Sequence, residues 1–203
     1  MHVPDKWKIT DPKQIADIVD KFGFATLISP SLEASHVPLI YQAENQFLFG
    51  HLARNNQHAK EASGSKVVAV FSGPHYYIAP NWYANSPAVP TWNYVAVHMH
   101  GTIEWLDDSN TLSAVEKLVA KYQPALLDNQ AIMPIEFQQK LAKGIVGFRV
   151  HIERIEAKAK LGQHRKSEDQ AGVVKGLIQE KNAEAAQLLA VMDLLQLGLG
   201  KEK

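Results

Sequence analysis

The sequence predicts an α+β domain built on an antiparallel sheet. Roughly six segments are either continuously apolar or alternate with period two, as strands do. Prolines, glycines and Asn/Asp clusters separate them at hairpin and loop spacing. The intervening helical segments do not follow the strict βαβα order of a parallel sheet.

The elements follow in order. Asp11-Pro12-Lys13-Gln14 reads as a helix cap, a proline at the first helical position and a Gln three residues after the cap. Ile15, Ile18, Val19 and Phe22 continue at helical spacing, and Gly23 closes the helix. Phe24–Ser29, Ser35–Tyr41 and Gln46–His51 read as strands, with a turn at Ala43-Glu44-Asn45 and Pro38 placing the second strand at an edge or bulge. A short helix is expected to begin near Asn55 or Asn56. Lys66–Ser72 is a buried strand, and Gly73–Pro90 is a long loop holding one short strand, Tyr76–Ala79. Thr91–Leu106 is a long strand ending at Asp107-Asp108. Ser109–Tyr122 and Ile135–Lys143 read as helices, and Ile145–Leu161 as the last long strand. From Ser167 the chain is helical. Leu188, Val191, Met192, Leu195 and Leu199 form one apolar stripe that packs on the body or on a second subunit. The expected division is a domain over 1–165 and a C-terminal helical extension over 166–203.

Composition narrows the function. With 46% hydrophobic and 21% charged residues the chain is an ordinary globular one. Lys+Arg and Asp+Glu both number 21, so no broad field attracts nucleic acid or an anionic membrane. Zero cysteines exclude disulfides, thiolate metal sites and a Cys nucleophile. The opening MHVPDKWKITDP has no apolar h-region and no later run is long enough to span a bilayer, so a cytoplasmic protein is expected.

Four stretches carry chemistry. Gly50–His58 follows a strand and was expected to open a helix, where free N–H groups favour phosphate. Arg54 adds a planar fork for phosphate oxygens, and Asn55, Asn56 and His58 add donors. The bland alternative is a polar loop with an Asn cap. Ser72–Tyr83, with Trp92 and Tyr94 beyond, brings aromatic rings to a kinked loop, where they wall a flat heterocycle, stack bases or simply form a satellite core. His98 and His100 share a strand face and could serve a metal given further ligands such as His75 or Glu104, although two polar residues on a solvent or interface face are commoner. Lys158–Lys166 is the densest basic run and suits phosphate, nucleic acid, a partner or plain solvent. No hydrolase elbow, P-loop or dinucleotide fingerprint occurs.

Five collinear motifs give the combination its specificity: ASHVPL (34–39), GHLARNN (50–56), GPHYYIAPNWY (73–83), VPTWNYVAVHMHG (89–101) and KLGQHRKSEDQAGVVKGL (160–177). Together with the opening HVPDKW, they make the chain resemble the PaiB family, described as FMN-binding negative transcriptional regulators of bacteria and related to the split barrels of pyridoxamine-phosphate-oxidase type. Two departures stand out. Gly162-Gln163-His164 stands where the family usually has Ser-Gln-Asn, and Ser86-Pro87-Ala88 replaces a more basic loop.

The resemblance implies a six-stranded antiparallel split β-barrel with peripheral helices, and a homodimer with FMN in the dimer cleft. The flavin phosphate is expected at the turn carrying His51, Ala53, Arg54 and Asn56. His36 is expected as a basic flavin contact, and Trp92, Asn93 and Tyr94 as a border of the ring. Lys160 and Gln163 are expected to close the site, with no metal bound. The family name implies a flavin-responsive regulator, although the only basic surface for DNA is 158–166. The alternatives are a flavin-dependent oxidoreductase acting on a small molecule, with His98 and His100 as acid–base candidates, and, more weakly, a haem- or metal-binding split barrel.

Overall fold

The computed structural model describes residues 1–61 and 63–201. Its strands are β1 Phe24–Ile28, β2 Ala34–Pro38, β3 Ile40–Gln42, β4 Phe47–Ala53, β5 Lys66–Ile78, β6 Thr91–Trp105 and β7 Ile145–Lys160. They form one sheet in the order β2-β1-β5-β6-β7-β4-β3. The helices are α1 Pro12–Lys21, α2 Asp108–Tyr122, α3 Ile135–Ala142, α4 Ser167–Glu180 and α5 Ala183–Leu195.

The two end strands of this sheet, β2 and β3, are neighbours in sequence with only Leu39 between them. The sheet therefore curls until its edges meet at that residue, as the expected split barrel requires. The segment Ser35–Tyr41, expected as one strand, is divided there: Pro38 ends the pairing with β1, and Ile40 begins the pairing with β4. Proline lacks the N–H that would extend the ladder. This division makes seven strands of the expected six. β5 runs unbroken where a loop and a separate short strand were expected. Its pairing with β1 ends at Val70, so Pro74 lies where that partner no longer needs an N–H.

Two compact units divide the chain. One comprises Met1–Ile15, Ser72–Val97 and Glu156–Lys203, the other Ala16–Phe71 and His98–Ile155. In the second, Leu27, Leu39, Leu48, Phe71, Met99 and Phe148 are fully shielded. β4 pairs with β7 from Phe47↔His151 to Ala53↔Ile145. Gly50 sits at a tight point of this core. A Cβ there would lie 2.6 Å from Leu39 and 2.8 Å from the Phe148 ring, so only glycine admits both. Helix α2 is tied to β7 by the Gly147 amide, which donates to Thr111 Oγ1 at 2.9 Å.

The first unit is organised around Trp82. Its ring stacks on Tyr76 at 6.5 Å, and α4 packs on it through Gly172 and Gly176. Asp169 is buried on α4 and accepts from the Asn85 amide (2.9 Å) and Asn85 Nδ2 (3.0 Å), which fixes the loop after Trp82. These bonds hold the Asp169 carboxyl below its usual pKa. The apolar stripe of α5 is buried at Leu188, Val191, Met192 and Leu195, and α5 packs on α4. None of the described helices is long and apolar enough to cross a membrane.

Candidate functional site

The GHLARNN segment is built as β4 followed by a tight turn. The short helix expected near Asn55 or Asn56 forms as a single 3-10 turn, Gln57–Lys60, capped by Asn56. A single short turn aligns too few peptide dipoles to attract an anion, so the phosphate argument rests on side chains. Asn56 caps that turn, accepting from the His58 amide at 2.9 Å, while its Nδ2 donates to Ser35 Oγ at 3.1 Å. Ser35 Oγ also meets His58 Nδ1 at 2.7 Å, and His58 is completely buried. Asn56 is thereby spent on holding the loop.

Arg54 remains at the surface. Its guanidinium reaches Asp108 Oδ1 at 3.0 Å and the Lys143 carbonyl at 3.2 Å, and its side chain is 50% exposed. An ion pair this exposed is worth at most about 1 kcal/mol and yields readily to a phosphate. His51 is half-buried on β4, and its Nδ1 is shielded without a hydrogen-bond partner. Burial lowers its pKa, so the ring is neutral at neutral pH. Ala53 is exposed and contributes its carbonyl, which accepts from the Asn56 amide at 2.9 Å. The half-exposed Arg54 fork is the group this turn offers to an anion, and His51 Nδ1 is shielded.

His36 lies on the opposite face of β2 from Ser35, exposed, stacked on Phe24 and sharing a hydrogen bond with Thr26 Oγ1 at 3.1 Å. The turn and His36 thus address different faces of that strand. On β6, His98 and His100 do share a face, with ring centroids 6.4 Å apart.

The Trp-Asn-Tyr trio is divided by strand alternation. Trp92 is half exposed and meets His75 (5.9 Å) and Tyr77 (6.1 Å), forming an aromatic shelf. Tyr94, on the same face, lies under the Lys158 ammonium at 5.1 Å. Asn93 points the other way and is buried. It lines a cavity of about 200 Å³ with Lys6, Trp7, Thr91, Lys160 and Arg165. Lys160 donates to Thr91 Oγ1 at 2.5 Å. Gln163 braces the adjoining loop, accepting from the Leu161 amide (2.9 Å) and donating to the Ala159 carbonyl (2.7 Å) and the Lys6 carbonyl (3.3 Å).

Lys6, Trp7 and Ser35 carry no individual functional expectation from the sequence. Lys6 and Trp7 lie more than 150 positions from Lys160, and only the fold joins them. For Ser35, its place beside His36 on an alternating strand was a usable signal.

Comparison with known proteins gives the family. Residues 1–154 match the family described as "Putative FMN-binding domain". The chain is 32% identical over 204 residues to "Protease synthase and sporulation protein PAI 2" of Bacillus subtilis (strain 168), covering 95% of this chain and 97% of that protein. In fold it is similar to the FAD and heme binding protein from Mycobacterium smegmatis (14% identity, TM-score 0.59, 75% of this chain and 73% of that one). It is also similar in fold to the flavocytochrome Anf3 from Azotobacter vinelandii (13%, TM-score 0.63, 78% and 72%). The chain belongs to the PaiB family of FMN-binding split-barrel proteins.

Proposed function

We propose that this protein is a flavin-responsive negative regulator of transcription, acting as a homodimer with FMN at the subunit interface. The observation that carries the reading is the match to the PAI 2 protein along 95% of the chain, which spans both the Arg54 turn and the Trp92 shelf. In this reading Arg54, beside His51, holds the flavin phosphate, and the shelf of Trp92, Tyr77 and His75 is a stacking surface for a flat ring. FMN, when bound, supplies one- and two-electron redox chemistry. The chain's own contribution at Arg54 is to neutralise the phosphate. The run 158–166 expected to meet DNA is partly buried, Lys158 included, so DNA contact falls to its exposed end from His164 to Lys166, doubled across a dimer axis.

A mobility-shift assay at low salt tests the regulatory half. Electrostatic binding is strongest there, so retarded DNA with an FMN-dependent midpoint is expected. No retardation at low salt refutes direct DNA binding. The zero net charge supports a second reading, a flavin-dependent oxidoreductase acting on a small molecule. NAD(P)H oxidation by the FMN-loaded protein, without any shift of DNA, decides for it.

A further inference from the structure

We infer that the cavity formed by Lys6, Trp7, Thr91, Asn93, Lys160 and Arg165 is a binding site for a phosphate or similar oxyanion. Its walls carry cations without an anionic partner, although Lys160 also donates to Thr91 Oγ1 and the neighbouring Lys158 to the His2 carbonyl. Lys6, Lys158 and Lys160 all bring their ammonium groups to the Trp7 ring, at 4.5, 5.3 and 5.3 Å. Arg165 lies over the Tyr83 ring at 4.3 Å. Among the described residues none of these four cations forms an ion pair. Asp169, which interacts electrostatically with Arg165, is spent on Asn85.

The indole N–H of Trp7 is shielded and has no hydrogen-bond partner. An indole nitrogen only donates, so the group that satisfies it must accept. Burial and the neighbouring Lys158 and Lys6 hold the Lys160 ammonium below its usual pKa, and His164 is lowered by burial and by Lys6, Arg165 and Lys160. An oxyanion relieves this mutual repulsion and gives the Trp7 indole N–H an acceptor. The cavity, about 200 Å³, is smaller than the range of about 300–1,000 Å³ typical of whole small-molecule sites. It takes a headgroup, with Trp7, Tyr83 and Pro90 as the flat walls of its mouth.

Two sources carry such a group: the phosphate of FMN itself, or a separate small anion. The inference stands whichever is the source, and it does not depend on the placement of the flavin phosphate at Arg54. Inorganic phosphate titrated into the full chain at constant ionic strength, followed by tryptophan emission, is the test. A saturable change is expected that Trp7→Phe abolishes. The midpoint should rise about ten-fold in Lys6→Gln and in Arg165→Gln, the loss of one charge-assisted contact. Lys6 is exposed, so its substitution leaves the fold in place, and Lys160→Arg should retain binding because the charge is kept. If FMN competes with phosphate for this signal and Arg54→Ala leaves FMN affinity unchanged, the source is the flavin phosphate and the Arg54 placement falls while the cavity stands. If FMN binds without disturbing the signal, the ligand is a separate anion. No saturable emission change with phosphate, in wild-type protein whose circular dichroism shows it folded, overturns the inference.

Discussion

Arg54→Ala separates a phosphate ligand from a surface ornament. In the structure its guanidinium is held by Asp108, whose side chain is 82% exposed, and by one carbonyl. Removing an ion pair between groups this exposed costs the fold about 0–1 kcal/mol, so the variant stays folded. A charge-assisted contact with the phosphate is worth about 1.5–3 kcal/mol, which weakens FMN binding about 10- to 100-fold. Riboflavin lacks the phosphate, and its affinity should not change. Asp108→Asn removes the competing carboxylate and should tighten FMN by a few-fold at most, since the pair it breaks is worth no more than about 1 kcal/mol. Quenching of flavin fluorescence on titration with each ligand reads all three. Equal FMN affinity in wild type and Arg54→Ala, or equal losses for FMN and riboflavin, would refute the reasoning.

Further outcomes follow from packing and burial. Gly176→Ala places a methyl 2.3 Å from the Trp82 ring. Overpacking of about 1–3 kcal/mol, less up to about 1 kcal/mol of helix propensity, should lower the urea midpoint with the slope unchanged. His58 is buried and its pKa is lowered chiefly by burial, with Glu33 and Glu61 opposing. The folded chain then keeps this ring neutral while the unfolded chain protonates it near pH 6.5. Its contribution is complete above about pH 6.5 and is lost as pH falls from there towards the folded pKa. Unfolding titrations between pH 7 and 5 should show that decline, and His58→Gln should reduce its slope by up to one proton.

The sheet was legible because its long strands advertise themselves. Val95–Met99 and Val146–Ile152 are buried at alternate positions as the sequence displays, and helix α2, expected from Ser109, starts at Asp108. What escaped depended on partners far along the chain. Whether Ser35–Tyr41 is one strand or two depends on β1 and β4 taking different halves of it. The unbroken β5 is permitted by the end of β1 pairing at Val70. The short helix expected after Arg54 is a 3-10 turn capped by Asn56, and the bond from Asn56 to Ser35 that fixes it comes from another strand. The aromatic cluster was visible as residue types, but only the strand's two faces show that Trp92 and Asn93 serve different surroundings.

The central claim is that this chain holds FMN. The most direct measurement is the absorption and fluorescence of the purified protein titrated with FMN. The account predicts saturable quenching of the flavin with one FMN per chain and a shifted, structured visible band. A flavin spectrum that stays that of the free cofactor at every protein concentration, with the protein folded, would contradict it.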